Sequence, residues 1–257
     1  MKASVSVIMP AYNAERYVGA AISSVINQAF RDWELLVVDD CSTDTTAEIA
    51  QRFAAEDSRV TVLQNEKNMG VTASRNRAIA QAESEWIAFL DSDDLWREDK
   101  LEKQMDLVQT NKDAILTYTA SAFMDENGNP YGYVMEAQPK ITYRELLCKN
   151  LLSCSSVMVR RDWILRYPMS GDGMHEDYAS WLQMLRELPC AYGVNEPLLI
   201  YRLSKTSKSG SRVKSAKMIY RTYRFVGYNP LTALYFTFRY LPYSVSKRRK
   251  IYQSAIG

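Results

Sequence analysis

Trp86-Ile87-Ala88-Phe89-Leu90-Asp91-Ser92-Asp93-Asp94 sets five apolar residues directly against three carboxylates. The run is too short for a buried helix and too continuous for a strand with one wet face. It therefore reads as a strand covered on both sides. Its acidic end then falls at the carboxyl edge of a sheet, where open α/β folds bind their ligands. Carboxylates at alternating positions there can share one hard divalent cation, since Mg²⁺ and Mn²⁺ prefer oxygen donors. The same residues would also suit a plain turn and helix N-cap.

Working outward, the stretch is the fourth strand of a series. Ser4–Met9 is a short β-branched run. Asn13 offers an N-cap to a helix whose apolar face carries Tyr17, Val18, Ala21, Ile22, Val25 and Ile26. Trp33–Val38 is a second strand ending in Asp39-Asp40, and Ser42 and Asp44 can cap a helix over about 45–56. Val60–Leu63 is a third strand, and Gly70 opens a helix to about Gln81. Beyond the acidic run, Leu101, Met105 and Val108 share one helical side. Such alternation predicts an α/β fold with a mostly parallel sheet and helices on both faces. Asp39 and Asp40 then meet Asp91, Asp93 and Asp94 along one edge. A carboxylate ending the second strand can accept from a nucleotide base or ribose, or cap a turn. Arg75, one turn into its helix, can neutralise phosphate or touch the base, or form a surface ion pair.

The second half changes character. Ile115–Met124 and Tyr131–Met135 flank Asn127-Gly128, a hairpin signal. Ser155–Val159 reads as a strand, Tyr178, Trp181, Leu182, Leu185 and Leu188 as a helical stripe, and Pro197–Leu203 as a last strand. His175-Glu176-Asp177 closes a Gly-rich loop and begins the Trp181 helix. A carboxylate held there suits a general base facing a cleft, or simply a cap, and His175 reads as structural. Ser204–Ser211 is a basic, Ser-rich loop, and two helices broken near Asn229-Pro230 follow. The expected organisation is a first half over 1–110, a second half of the same domain over 111–205, and a basic helical extension over 206–257.

The chain of 257 residues has 47% apolar and 24% charged residues, which excludes disorder and coiled coil. Its net charge of +2 hides an asymmetry. After Glu196 no acid follows, while 13 of the 32 Lys and Arg do. An acidic body with a basic tail predicts an anionic partner for the tail. Leu231, Leu234, Tyr235, Phe238, Tyr240, Leu241 and Tyr243, followed by Lys247-Arg248-Arg249-Lys250, suit an anionic membrane face. Nucleic acid is not expected, because the acidic body would repel it. Cys41, Cys148, Cys154 and Cys190 form no C-x-x-C pair and read as reduced thiols. No run reaches the roughly 18 apolar residues of a membrane span, so the expected location is cytoplasmic, peripheral on the inner face of the cell membrane.

Taken in order, these pieces resemble the family 2 glycosyltransferases of GT-A fold. The resemblance rests on Val5-Ser6-Val7-Ile8-Met9-Pro10-Ala11-Tyr12-Asn13, on Val37-Val38-Asp39-Asp40-Cys41-Ser42-Thr43-Asp44-Thr45, and on Asn68-Met69-Gly70-Val71 with Ala73-Ser74-Arg75-Asn76. It continues through Phe89–Asp94 and Glu176-Asp177 and covers about residues 4–205. It implies an inverting, non-processive transferase that moves one sugar from a UDP-sugar to a hydroxyl of a lipid-diphosphate-linked saccharide, as in O-antigen, capsule or teichuronic-type polymers. It also implies nucleotide-sugar binding for the half over 1–110 and acceptor binding for the half over 111–205. Pro10, Tyr12 and Asp39 would line the uracil and ribose pocket. Arg75 would hold the nucleotide, and Asp91 and Ser92 would contact ribose or sugar. Asp93, with Asp91, would bind Mn²⁺ or Mg²⁺. Asp177 would be the catalytic base, with Glu176 orienting it or touching the acceptor.

Two departures accompany the resemblance. There is no Q-x-x-R-W signature of processive synthases. After Tyr201-Arg202, where many relatives carry a histidine, this chain has Ser204, leaving Lys205 or Lys208 as substitutes. Two rivals are a nucleotidyltransferase and a non-catalytic nucleotide-sugar-binding protein. The first would show a Gly-rich loop after strand one, which Pro10-Ala11-Tyr12-Asn13-Ala14 lacks. The second would have no use for Asp177. A dehydrogenase is excluded by the missing G-x-G-x-x-G.

Overall fold

A computed structural model describes residues 3–171, 173–203 and 212–254, so Ser204, Lys205, Lys208 and the Ser-rich loop lie outside the described residues. The first half is β1 (Val5–Ala11), α1 (Val18–Ile26), β2 (Trp33–Asp39), α2 (Thr46–Glu56), β3 (Val60–Gln64), α3 (Val71–Gln81), β4 (Trp86–Phe89), β5 (Leu95–Trp96) and α4 (Lys100–Thr110). The second half is β6 (Leu116–Met124), β7 (Pro130–Met135), β8 (Lys140–Ile141), α5 (Tyr143–Leu146), β9 (Met158–Arg160), α6 (Arg161–Arg166), α7 (Glu176–Leu185) and β10 (Ala191–Arg202). The extension is α8 (Arg212–Phe225) and α9 (Pro230–Gln253).

One sheet runs through both halves in the order β3-β2-β1-β4-β9-β6-β10-β5. β3, β2, β1 and β4 are parallel, β9 is antiparallel to β4 and β6, and β10 is parallel to β6. The fold is thus the expected mostly parallel α/β sheet. β1 alternates Val5, Val7 and Met9 towards one core, which α1, α2 and α4 cover, and Ile8 towards the other, which α3, α6 and α7 cover. Fully burying each such side chain contributes about 1.5–3 kcal/mol.

Several local expectations are corrected. Asn13 does not cap α1, which starts at Val18 with Tyr17 as N-cap. Asn13 sits at φ 46°, and its Oδ1 accepts from the Thr43 amide at 2.8 Å, tying two loops of the sheet edge together. Ser42 Oγ likewise accepts from the Asn13 amide, and only Asp44 serves α2, accepting from the Thr46 amide at 3.0 Å. The strand expected at Ser155–Val159 begins at Met158, because Cys154–Ser156 form a 3₁₀ turn. Of the apolar tail residues, Tyr240 and Tyr243 turn inward: Tyr240 packs on Tyr178, and Tyr243 donates to Asn150 O at 3.4 Å. Lys247 is not a free surface cation. Its ammonium lies 5.6 Å from the Phe123 ring centre, and burial pushes its pKa down to about 8.

Candidate active site

The register of β1 on β2 pairs Ala11 with Asp39, so Pro10, Tyr12 and Asp39 gather at one strand edge. Pro10 is buried within β1, whereas Tyr12 stands 49% exposed. Asp39 and Asp40 are both buried, yet they have different work. Burial opposes ionisation of Asp40, but hydrogen bonds from the Met69 amide, the Asn65 side chain and the Gly70 amide outweigh it and hold its carboxyl below the usual range. Asp40 therefore fixes the loop entering α3. Asp39 accepts from the Ser42 amide through Oδ2, while its buried Oδ1 has no hydrogen-bond partner. An unpartnered buried acceptor is costly, so Oδ1 is the atom free to receive a ligand N–H or O–H.

β4 delivers the second acidic group. The Leu90 amide donates to Ile8 O, and the Asp91 amide to Ser155 Oγ, both at 3.0 Å. Asp91, Ser92 and Asp93 are half-buried in the turn that follows, and Asp94 is buried. Burial first, and the Asp91 charge second, raise the Asp93 carboxyl to about 6. Burial, Asp93 and Asp91 raise Asp94 well above the usual range. Asp94 accepts from the Arg202 amide at 2.8 Å, and Arg202 Nε donates to Asp93 O at 2.8 Å. The end of β10 thus clamps the acidic turn.

α7 supplies the third group. Trp181 is fully buried and packs tilted at 60° on Phe89 of β4, ring centres 5.7 Å apart, which anchors the helix against the strand that leads into Asp91. Truncating such an aromatic typically costs about 3–5 kcal/mol. One turn back on α7 lie Glu176 and Asp177. Arg75, 4% exposed on α3, pairs through one guanidinium nitrogen with Asp91 and through the other, at 3.1 Å, with Glu176. Burial alone would disfavour its charge, but Asp91 and Glu176 more than offset this. Asp177 is half-buried, its Oδ1 accepting from the Tyr178 amide at 2.7 Å. Burial and then the neighbouring Glu176 raise its carboxyl to about 6, against the pull of Arg75. A carboxyl so poised is deprotonated at neutral pH and still basic enough to take a proton.

The structure therefore brings Arg75, Asp91, Glu176, Asp177 and Asp93 into one electrostatic cluster, with Asp39 and Tyr12 on the adjoining edge. Asp94, expected at this edge, is joined there by Arg202, whose part in the assembly nothing in the chain announces. His175 is the N-cap residue of α7, and its amide donates to Thr222 Oγ1 at 3.2 Å. All four cysteines are free thiols. Asp91 and Asp93 offer hard oxygen donors. Among the described residues no group of three or more His, Cys, Asp or Glu could hold a metal ion. The pair fits a divalent cation whose remaining donors come from a diphosphate.

A parallel sheet with acids at the ends of β2 and β4, faced by a helix-borne carboxylate pair, defines a sugar transferase of GT-A type. The chain belongs to glycosyl transferase family 2, whose model matches residues 6–165, and it is a glycosyltransferase. It is 37% identical to TuaG of Bacillus subtilis (strain 168), a glycosyltransferase assigned to teichuronic acid biosynthesis, over 87% of this chain and 88% of that one. It is 35% identical, over 97% of both chains, to WfgD of Escherichia coli, a UDP-Glc:α-D-GlcNAc-diphosphoundecaprenol β-1,3-glucosyltransferase. Its fold matches the crystal structure of Staphylococcus aureus TarS 1–349 in complex with UDP-GlcNAc. The TM-score is 0.74 at 22% identity, covering 96% of this chain and 73% of that one. The mannosyltransferase PcManGT from Pyrobaculum calidifontis, with GDP-Man and Mn²⁺, matches with a TM-score of 0.72 at 15% identity, over 99% and 74%.

Proposed function

We propose that this transferase moves a single hexose or N-acetylhexosamine from a UDP-sugar to a hydroxyl of a lipid-diphosphate-linked saccharide, with inversion. The observation that carries the reading is the Glu176-Asp177 pair, tied through Arg75 to Asp91 so that base and donor ends of the site are held in one frame. Asp177 takes the proton as the acceptor oxygen attacks the anomeric carbon. The bond to the diphosphate breaks, its electron pair leaving on the β-phosphate oxygen. One displacement from the opposite face inverts the centre and needs no second nucleophilic carboxylate. Asp39 accepts from the nucleotide through its free Oδ1, Pro10 and Tyr12 flank the base, and Ser92 and Asp91 face ribose or sugar. Arg75 acts here by holding Asp91 and Glu176. Mn²⁺ or Mg²⁺, held by Asp93 with Asp91, would supply the charge neutralisation that the departing diphosphate requires.

Residues 1–110 chiefly serve the donor and 111–205 the acceptor sugar, while the basic helical extension over 206–257 serves the lipid-bearing end of the acceptor and the membrane. Among the described residues no helix is long and apolar enough to cross a membrane. On α9, however, Leu231, Phe238, Val245 and Tyr252 recur every seventh residue on an exposed face, with Leu234 and Tyr235 beside them. With Arg248, Arg249 and Lys250 exposed at the end of the same helix, this favours adsorption to the anionic inner face of the cell membrane. Relatives such as WfgD are named for undecaprenol-linked acceptors, which supports a lipid-bound substrate.

The test is UDP release from a panel of UDP-sugars with Mn²⁺, with and without membrane extract, followed by NMR of the product's anomeric configuration. Release with one sugar, stopped by a chelator, raised by extract and giving inverted product, is expected. Retention of configuration, or turnover only with another nucleotide, would overturn the reading.

A further inference from the structure

A cleft of about 420 Å³ opens beside the catalytic carboxylates, between the first turn of α3 and one face of α8. One wall is Gly70, Val71 and Thr72, and the other is Lys214, Lys217 and Arg221. The three cations stand at i, i+3 and i+7, so they line a single helical face. Glu176 closes the inner end, and its charge is already engaged by Arg75. The α3 wall is backbone: Asp40 takes up the Met69 and Gly70 amides from behind, and Gly70 brings no side chain to the cleft. Gly70 adopts φ +83°, and a Cβ built there meets nothing within 4 Å, so the backbone borders open space. On the opposite wall, α8 contains no acidic residue, and among the described residues no carboxylate forms an ion pair with Lys214, Lys217 or Arg221. Arg221 also donates to Gly173 O at 3.4 Å, which fixes it at the mouth.

A row of three cations on one helical face, across a cleft from bare backbone, forms a receptor for a hard polyanion. We propose that this cleft binds the diphosphate of the acceptor. The inference rests on the lipid-diphosphate reading above and adds the place where that group sits. Arg75 links the two places, one guanidinium nitrogen pairing with Asp91 of the acidic turn, where a donor diphosphate would lie, and the other with Glu176 of the cleft. Glu176, at the inner end, precedes Asp177 directly. A diphosphate in the cleft leaves the sugar it carries within reach of the base, while its lipid leaves along α8 towards α9.

The experiment uses the full chain and three forms: wild type, the double variant Lys214→Ala/Lys217→Ala, and Lys217→Glu. Two acceptor probes are compared, an alkyl diphosphate of N-acetylglucosamine and the alkyl glycoside of the same sugar without phosphate. Calorimetric titrations with the alkyl diphosphate and with UDP run alongside, because they need no turnover. Wild type is expected to prefer the diphosphate probe. Both variants are expected to raise its KM and Kd by about tenfold or more, as loss of charge-assisted contacts does, while UDP affinity and melting temperature stay within error. An unchanged Kd for the alkyl diphosphate overturns the assignment. So does an equal loss of UDP affinity, which would give the cations to the donor. If no sugar is transferred but the diphosphate still binds and the variants still weaken it, the transferase reading has failed and the cleft assignment stands.

Discussion

Arg75 holds Asp91 and Glu176 in one grip, although the two carboxylates come from the turn after β4 and from α7 and are 85 positions apart in the chain. The guanidinium fork suits this bridge, because its two ends can address two carboxylates at once, which an ammonium cannot.

Arg75→Ala should therefore cost both stability and activity. Breaking a buried ion pair from one side strands the other charges and typically costs about 3–5 kcal/mol. Urea denaturation should show a loss of that order, and UDP release should fall below detection. Arg75→Lys keeps the charge without the fork. It is expected to recover much of the stability and little of the turnover. Full turnover in the lysine variant would show that charge alone suffices there.

Asp177→Asn removes the proton acceptor while keeping shape. Sugar transfer should fall about 10²–10⁴-fold, with UDP affinity within a few-fold. The pH dependence follows from the raised carboxyl at about 6. Below that value Asp177 is protonated and cannot accept, so kcat/KM should rise with pH through about 6 and level off above. The stability sign is opposite. A carboxyl whose folded pKa lies above its unfolded value favours the native state at low pH, and that contribution is lost as pH rises from about 4 to 6. At neutral pH the asparagine variant should thus be as stable as wild type or more so, by about 1–2 kcal/mol. Lower stability in thermal melts at pH 7.5 would mean that burial is not what raises Asp177.

Asp93→Ala should abolish metal-stimulated turnover, and a chelator should do the same to wild type. Because burial and Asp91 raise Asp93 to about 6, protons compete with the cation. The Mn²⁺ concentration needed for half activation should increase as pH falls below 6. Measuring it at pH 5.5 and 7.5 separates this effect from Asp177, whose protonation persists at saturating Mn²⁺.

Much of this site is legible in the chain and some of it is not, for reasons of distance and length. The ends of β2 and β4 are readable because continuous apolar strands stop abruptly at acids. The division of labour between Asp39 and Asp40 is not, because it depends on where the Met69 and Gly70 amides arrive. Arg75 is recognisable as buried chemistry only once α7 is packed on β4 through Trp181 and Phe89. β5 and β8, two residues each, are too short to carry a period. α5 did leave a signal, the capping box of Thr142 with Glu145. The cations of α8 look, in the chain, like part of one basic tail. Folding separates them, placing Lys214, Lys217 and Arg221 on the cleft and Arg248–Lys250 at the end of α9.

Asp94 and Arg202 give a stability test that leaves the catalytic groups in place. Burial, with the Asp93 and Asp91 charges, raises the Asp94 carboxyl well above the usual range. Asp94→Asn keeps an oxygen for the Arg202 amide and should be tolerated in denaturant melts. Asp94→Ala strands that amide, an unsatisfied buried donor that costs about 1–3 kcal/mol. Equal losses in both variants would mean that the charge, rather than the hydrogen bond, is what β10 needs.

The membrane reading is tested on the exposed face of α9, since Ala233, Thr237 and Ile251 on its inner face are buried and deletion would open the core. Leu231 is 80% exposed and Phe238 64%, so Leu231→Gln with Phe238→Gln should leave the melting temperature unchanged. An apolar side chain that enters the acyl boundary contributes about 1.5–3 kcal/mol when fully buried. Losing two should weaken binding to vesicles rich in anionic lipid by tenfold or more. Each basic residue near such a surface adds about 1 kcal/mol, so Arg248→Gln with Arg249→Gln should weaken binding to anionic vesicles and leave the weaker binding to neutral ones unchanged. Sedimentation with both vesicle types reads the two contributions apart. Equal sedimentation of wild type and both double variants would remove the membrane from the account, leaving α9 as packing for α7, α8 and β7.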